Sequence, residues 1–93
     1  MHITHYSFNN SPGGISTINE GYCLVVIYTR AGGLMSLLQL SSMSKITEIT
    51  TDPRIGINGT VLKVTKTGEY QFIVQNITDG SISFEVLVLG GYH

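Results

Sequence analysis

Apolar and polar residues alternate through most of this chain with a period of two, the signature of strands that bury one face. The clearest stretch runs from Lys63 to Leu89, where two β-branched and aromatic segments flank Asp79-Gly80. That pattern predicts a hairpin. A two-residue loop would set Phe72 against Leu87 but Val74 against the carboxylate of Glu85. A three-residue loop, Thr78-Asp79-Gly80, instead pairs Tyr70 with Val88, Phe72 with Val86, Val74 with Phe84 and Asn76 with Ile82. One face then becomes almost wholly apolar, and Gly80 falls where a G1 bulge needs a left-handed residue. Because a one-residue slip inverts every side chain, the second register is preferred.

Further strands are expected over His2–Phe8, Ile15–Ile18, Tyr22–Tyr28, Leu34–Leu40, Lys45–Thr51 and Thr60–Lys66, with a short apolar piece at Ile55–Ile57. The turn-formers between them are Asn9-Asn10-Ser11-Pro12-Gly13-Gly14, Glu20-Gly21, Ala31-Gly32-Gly33, Asp52-Pro53 and Asn58-Gly59. The segment Leu34–Leu40 also has apolar spacing compatible with a helix, but it is short, has no N-cap and follows Gly-Gly, which favours a strand paired with residues 22–30. Gly90 to His93 reads as a tail. Seven or eight short strands in one domain, residues 1–93, imply an all-β fold: a small antiparallel β-sandwich, jelly-roll-like.

One strand breaks the alternation. Tyr22-Cys-Leu-Val-Val-Ile-Tyr28 is apolar on both parities, as expected of a strand covered on both faces. A sandwich leaves its outer faces wet, so a neighbouring subunit is the simplest cover. The expected contact surface is Val25, Ile27, Met35 and Leu37. Composition points the same way: charged residues are 12% of the chain, against roughly 25% in typical domains, and the net charge is −1. Such a surface resists self-association poorly, and a homo-oligomer is expected. A chain of this length buries roughly 60–65% of its unfolded surface, enough for one modest core.

Charge argues against other partners. Lys45, Arg54, Lys63 and Lys66 read as scattered and matched by acids, so no nucleic-acid footprint is expected. No segment approaches the ~20 apolar residues of a membrane span, and no membrane partner is expected. The first residues lack the basic-then-apolar build of a signal peptide, which implies a cytoplasmic product, or one belonging to a virion or extracellular assembly reached without such a signal.

Candidate chemistry is sparse. Cys23 is the single cysteine and lies in the most apolar run, where it acts as a small hydrophobe. His2 and His5 have opposite strand parity and, with His93, do not make a credible zinc set. The six acids are spread out, no serine sits in a nucleophile-elbow pattern, and no glycine pair precedes a phosphate-binding helix. No cofactor, metal or catalytic residue is expected. Asn58-Gly-Thr60 and Asn76-Ile-Thr78 match the glycosylation pattern, but both asparagines are better read as turn or strand-end residues. Among the five tyrosines, Tyr22, Tyr28 and Tyr70 are expected at core edges and Tyr6 and Tyr92 at the surface.

Two functions remain. The first is a non-enzymatic structural protomer that packs against copies of itself in a particle, an appendage or a phage-type coat or decoration element. The second is a module that binds a glycan, small molecule or host protein through loops 9–14, 30–34 and 52–59. In that reading Arg30 beside Gly32 and Gly33, together with Arg54, would grip an anion.

Overall fold

The computed structural model describes residues 3–42 and 45–90, and these form nine strands and no helix. They are β1 (Ile3–Asn10), β2 (Ile15–Ile18), β3 (Cys23–Thr29), β4 (Met35–Ser42), β5 (Lys45–Thr50), β6 (Ile55–Gly56), β7 (Leu62–Gly68), β8 (Gln71–Asn76) and β9 (Ile82–Gly90). Two sheets pack face to face, a five-stranded one in the order β1-β9-β3-β4-β5 and a four-stranded one in the order β2-β8-β7-β6. The all-β sandwich expected from the alternation is the fold found. One pair departs from antiparallel order: β6 lies parallel to β7, Ile55 beside Leu62.

The expected pairing of residues 70–76 with 82–88 is corrected. These two strands belong to different sheets: β8 pairs with β2 and β7, and β9 with β1 and β3. The parity was right and the partnership wrong. Phe72, Val74 and Asn76 do face Phe84, Val86 and Val88, but across the core instead of along a ladder. Gly80 correspondingly has no positive φ. The physical reason lies in the partner strands. β1 runs beside β9 and β2 beside β8, so β1–β2 and β8–β9 make one two-stranded ribbon that bends from sheet to sheet, the wrapping characteristic of jelly rolls. β8 and β9 thereby each have two ladder neighbours.

Asn76 pins that bend. Its side chain is fully buried; Nδ2 donates to the carbonyls of Asn10 (2.9 Å) and Gly80 (2.8 Å), and Oδ1 accepts from the Thr78 amide (2.9 Å) and hydroxyl (2.7 Å). Its backbone exchanges bonds with Gly13 and Gly14 of the β1–β2 loop. A buried amide with all its capacity used carries no glycan, and Asn76 is therefore structural.

The β3–β4 hairpin forms as expected, with Gly32 and Gly33 at φ 83° and 64°, and Thr29 Oγ1 accepting from the Leu34 amide. The turn closes with the Thr29 amide bonded to the Leu34 carbonyl. That register places Val25 opposite Leu38 and Val26 opposite Leu37. Ser36, also buried, ties the two sheets at their far side by donating to the Ile55 carbonyl (2.8 Å) and accepting from the Asp52 amide (3.0 Å). At the opposite end Lys66 folds inward and donates to the Gly68 and Glu69 carbonyls of the β7–β8 turn, beside the Tyr22 ring. Two tyrosines exchange their expected places: Tyr70 is exposed, while Tyr6 is half-buried against the core and stacks on Phe8. Tyr92, His2 and His93 lie outside the described residues.

Replacing Asn76 by Ala strips partners from two carbonyls and one amide at the buried corner and is expected to cost about 2–4 kcal/mol in urea unfolding. Asn76→Asp, which turns the Nδ2 donors into an acceptor facing carbonyl oxygens, should be at least as damaging.

Candidate functional site

The two outer faces of the sandwich differ in kind. On the four-stranded sheet, the outward residues of β7 are Lys63, Thr65 and Thr67 and those of β8 are Gln71, Ile73 and Gln75. On the five-stranded sheet the register aligns Ile3, Leu89 and Leu24 in one row and Leu87, Val26 and Leu37 in the next. Tyr28 and Met35 stand beside each other in the third row. Met35 and Ile3 are about three-fifths exposed, at 58% and 60%, and the others named in these rows are half-buried. This is a largely apolar surface across four strands, bordered in its rows by Gln39 and His5 and interrupted in the third row by Ser7 and Glu85.

The expected contact residues divide by parity. Met35 and Leu37 do lie on this outer face. Val25 and Ile27 do not: both are 0% exposed, inside the sandwich, because the hairpin register sets them level with Leu38 and Ser36. The outward residues of β3 are Leu24, Val26 and Tyr28. The sequence showed that both faces of this strand are apolar; only the ladder register shows which residue takes which face.

One carboxylate is set into the apolar face. Glu85, only 3% exposed, accepts from His5 Nε2 at 3.0 Å and from Ser7 Oγ at 3.0 Å, and Arg30 Nη2 lies 3.5 Å from it. Burying a charge requires such partners. His5 and Ser7 both meet the carboxylate and not each other, so the hydroxyl is not held against an imidazole as acyl transfer requires. The signal for this cluster in the sequence was a lone Glu within the apolar run Phe84–Leu89. Its partners came from β1, 80 residues away in the case of His5, and from Arg30 just after β3.

The loops singled out for binding converge on one pole. The Gly13 amide bonds the Asn76 carbonyl, Ile77 bonds Val61, Val61 bonds Arg54, and the Asp52 amide bonds Met35. A cleft of about 340 Å³ opens there between Thr29, Leu34, Val61 and Ile82. Each guanidinium nearby is directed at a carboxylate of its own chain. Arg30 leans toward Glu85, and Arg54 makes a two-pronged contact with Asp52, Nε to Oδ1 and Nη2 to Oδ2, both at 2.9 Å. Gly32 and Gly33 serve the turn.

On the side of the molecule where β5 and β7 run, Lys45, Lys63 and the stem of Lys66 come together around a groove of about 560 Å³. Distant in sequence, these lysines read as scattered; strand order gathers them. Nor are they matched by acids, since the ion pairs among the described residues involve only His5, Arg30 and Arg54 as cations.

Among the described residues no three His, Cys, Asp or Glu side chains gather as a metal site would need, and no helix is long and apolar enough to cross a membrane. Cys23 is buried and donates to the Gly21 carbonyl. Burial first, and then the negative charge of Glu20, push its thiol up to about 11, with Lys66 opposing. Comparison with protein-family models, with curated proteins and with solved structures finds no match to this chain.

Two outcomes follow. Cys23 should react with a thiol reagent at pH 8 about a hundredfold more slowly in the folded protein than in urea, because its thiolate fraction falls with the raised pKa. The hydrogen bonds from Arg54 hold the Asp52 carboxyl at about 2, below its ordinary 3.8. Its contribution to stability is therefore full above the ordinary value and lost as pH falls through about 2. A carbon-detected NMR titration should show Asp52 returning toward 3.8 in the Arg54→Gln variant.

Proposed function

We propose that this protein is a non-enzymatic structural protomer that self-associates through the outer face of its five-stranded sheet. The observation that carries the reading is the inequality of the two outer faces: one is mostly threonine, glutamine and lysine with Ile15 and Ile73 among them, the other mostly apolar in its central rows. A monomer needs both faces wet. Contiguous apolar area of this kind marks an interaction site.

The dimensions support a second copy as the cover. Five strands about 4.8 Å apart and six to nine residues long at about 3.3 Å per residue span roughly 500 Å² in plan. Side-chain relief raises the accessible area toward the ~800 Å² per partner of a standard interface. A sheet face packs well against another sheet face, about 10 Å away and inclined by about 30°. The buried Glu85 cluster then sits where sheet-on-sheet contact would seal it. With 12% charged residues, little on the rest of the surface opposes accumulation into a larger assembly such as a coat or decoration layer.

A second reading rests on the convergence of loops 9–14, 30–34 and 52–59 at one pole, with the 340 Å³ cleft beside them. In it the pole binds a glycan, small molecule or host protein. The commitment of both arginines to Asp52 and Glu85 weighs against the anion grip.

Light scattering after size exclusion should give a mass that is a fixed multiple of 10.1 kDa across a hundredfold dilution. Val26→Glu, on the outward face, should reduce it to the monomer while leaving the circular dichroism spectrum unchanged. A wild-type monomer throughout would contradict the reading and turn attention to the loop pole.

A further inference from the structure

The groove of about 560 Å³ between the sheets is bounded by two strand edges. β7 runs from Leu62 to Gly68, yet β6, its neighbour on that side, pairs only with Leu62 and Lys63. From Val64 onward no described strand takes up the backbone groups on this edge. β5, the last strand of the other sheet, likewise has no described strand on its outer edge. Ile46 and Ile57, both half-buried, give the groove its apolar lining, and Lys45 and Lys63 stand exposed at its rim. The ammonium of Lys66 is turned away to the Gly68 and Glu69 carbonyls. Lys45 and Lys63 make no ion pair with a described acid. The Glu48 carboxylate is packed over Gly56, the residue before Ile57.

We propose that this groove binds an extended acidic segment of a partner protein, which adds as a strand to the free edge of β7. Its backbone continues the ladder that β6 begins, one apolar side chain rests on Ile46 and Ile57, and a carboxylate at an alternate position sits between Lys45 and Lys63. Strand addition supplies affinity through main-chain bonds and specificity through alternate side chains. The lysines select the partner. A second copy of the same edge would bring ammonium against ammonium, the device by which sheets deter pairing with themselves, whereas an acidic strand gains two charge-assisted contacts.

The test is an NMR titration of the isotope-labelled wild-type protein with the capped peptide acetyl-Thr-Val-Glu-Val-Thr-Ser-amide. Saturable shifts are expected at the amides of Val64–Gly68 and at Ile46, with a Kd below about 1 mM. A peptide with proline in place of the second valine, unable to donate to the ladder, and one with lysine in place of glutamate should each bind at least tenfold more weakly. The Lys45→Glu/Lys63→Glu protein, altered only at exposed positions, should reverse the preference and favour the lysine peptide. The proposal is overturned by the absence of saturable shifts at about 1 mM, by equal binding of the proline peptide, by indifference to the double charge reversal, or by shifts centred on Leu24, Val26 and Leu87.

Discussion

The sandwich depends on one bend. Between Asn76 and Ile82 the chain leaves the four-stranded sheet and enters the five-stranded one, and β1–β2 makes the same crossing alongside it. A paired ribbon that turns a corner interrupts its ladder, and the backbone groups freed inside the corner need other partners. Asn76 supplies them, with two donors and one doubly used acceptor fixed on the β1 end, the β8–β9 loop and Thr78. The Asn10–Ser16 side-chain pair, at 2.8 Å and 3.1 Å, closes the outer lane of the ribbon. With the corner held, Phe72 and Val74 meet Phe84 and Val86 across the interior, and β3 packs into the five-stranded sheet beside β9.

That placement of β3 has a further consequence. β3 and β9 are both central in the five-stranded sheet, and both carry apolar residues on their outward parity: Leu24, Val26 and Tyr28 on one, Leu87 and Leu89 on the other. An isolated two-sheet domain has no use for that second apolar layer. It stands opposite a mostly polar face that carries Ile15 and Ile73, and it is the feature on which the proposed self-association rests. Glu85 interrupts the layer at a single place and is satisfied from within the chain by His5, Ser7 and Arg30. It therefore adds little cost to covering the face while restricting the registers in which a covering sheet can settle.

Much of this was legible in the residues. Period-two alternation located the strands, Ala31-Gly32-Gly33 marked the β3–β4 hairpin, and the unbroken apolar run at 22–28 announced a strand with apolar residues on both faces. Partnership was not legible. Asp79-Gly80 between alternating segments reads locally as a hairpin, and only the ribbon partner, β1–β2, from the far end of the chain, makes the inter-sheet bend better. The reversal of Val25 and Ile27 with Leu24 and Val26 has the same origin: alternation tells that two faces exist, and register against a distant strand tells which is inside. The Glu85 cluster and the lysine-rimmed groove were invisible because their members meet through sheet order alone.

The most direct measurement is methyl NMR with a soluble paramagnetic agent at a protein concentration near the micromolar-to-millimolar range of weak assembly. If the five-stranded sheet is covered by another copy, the methyls of Leu24, Val26, Leu37 and Leu87 are shielded while those of Ile15 and Ile73 on the opposite sheet broaden. Equal broadening of both sets would mean that the apolar face stands in water, and would contradict self-association through it.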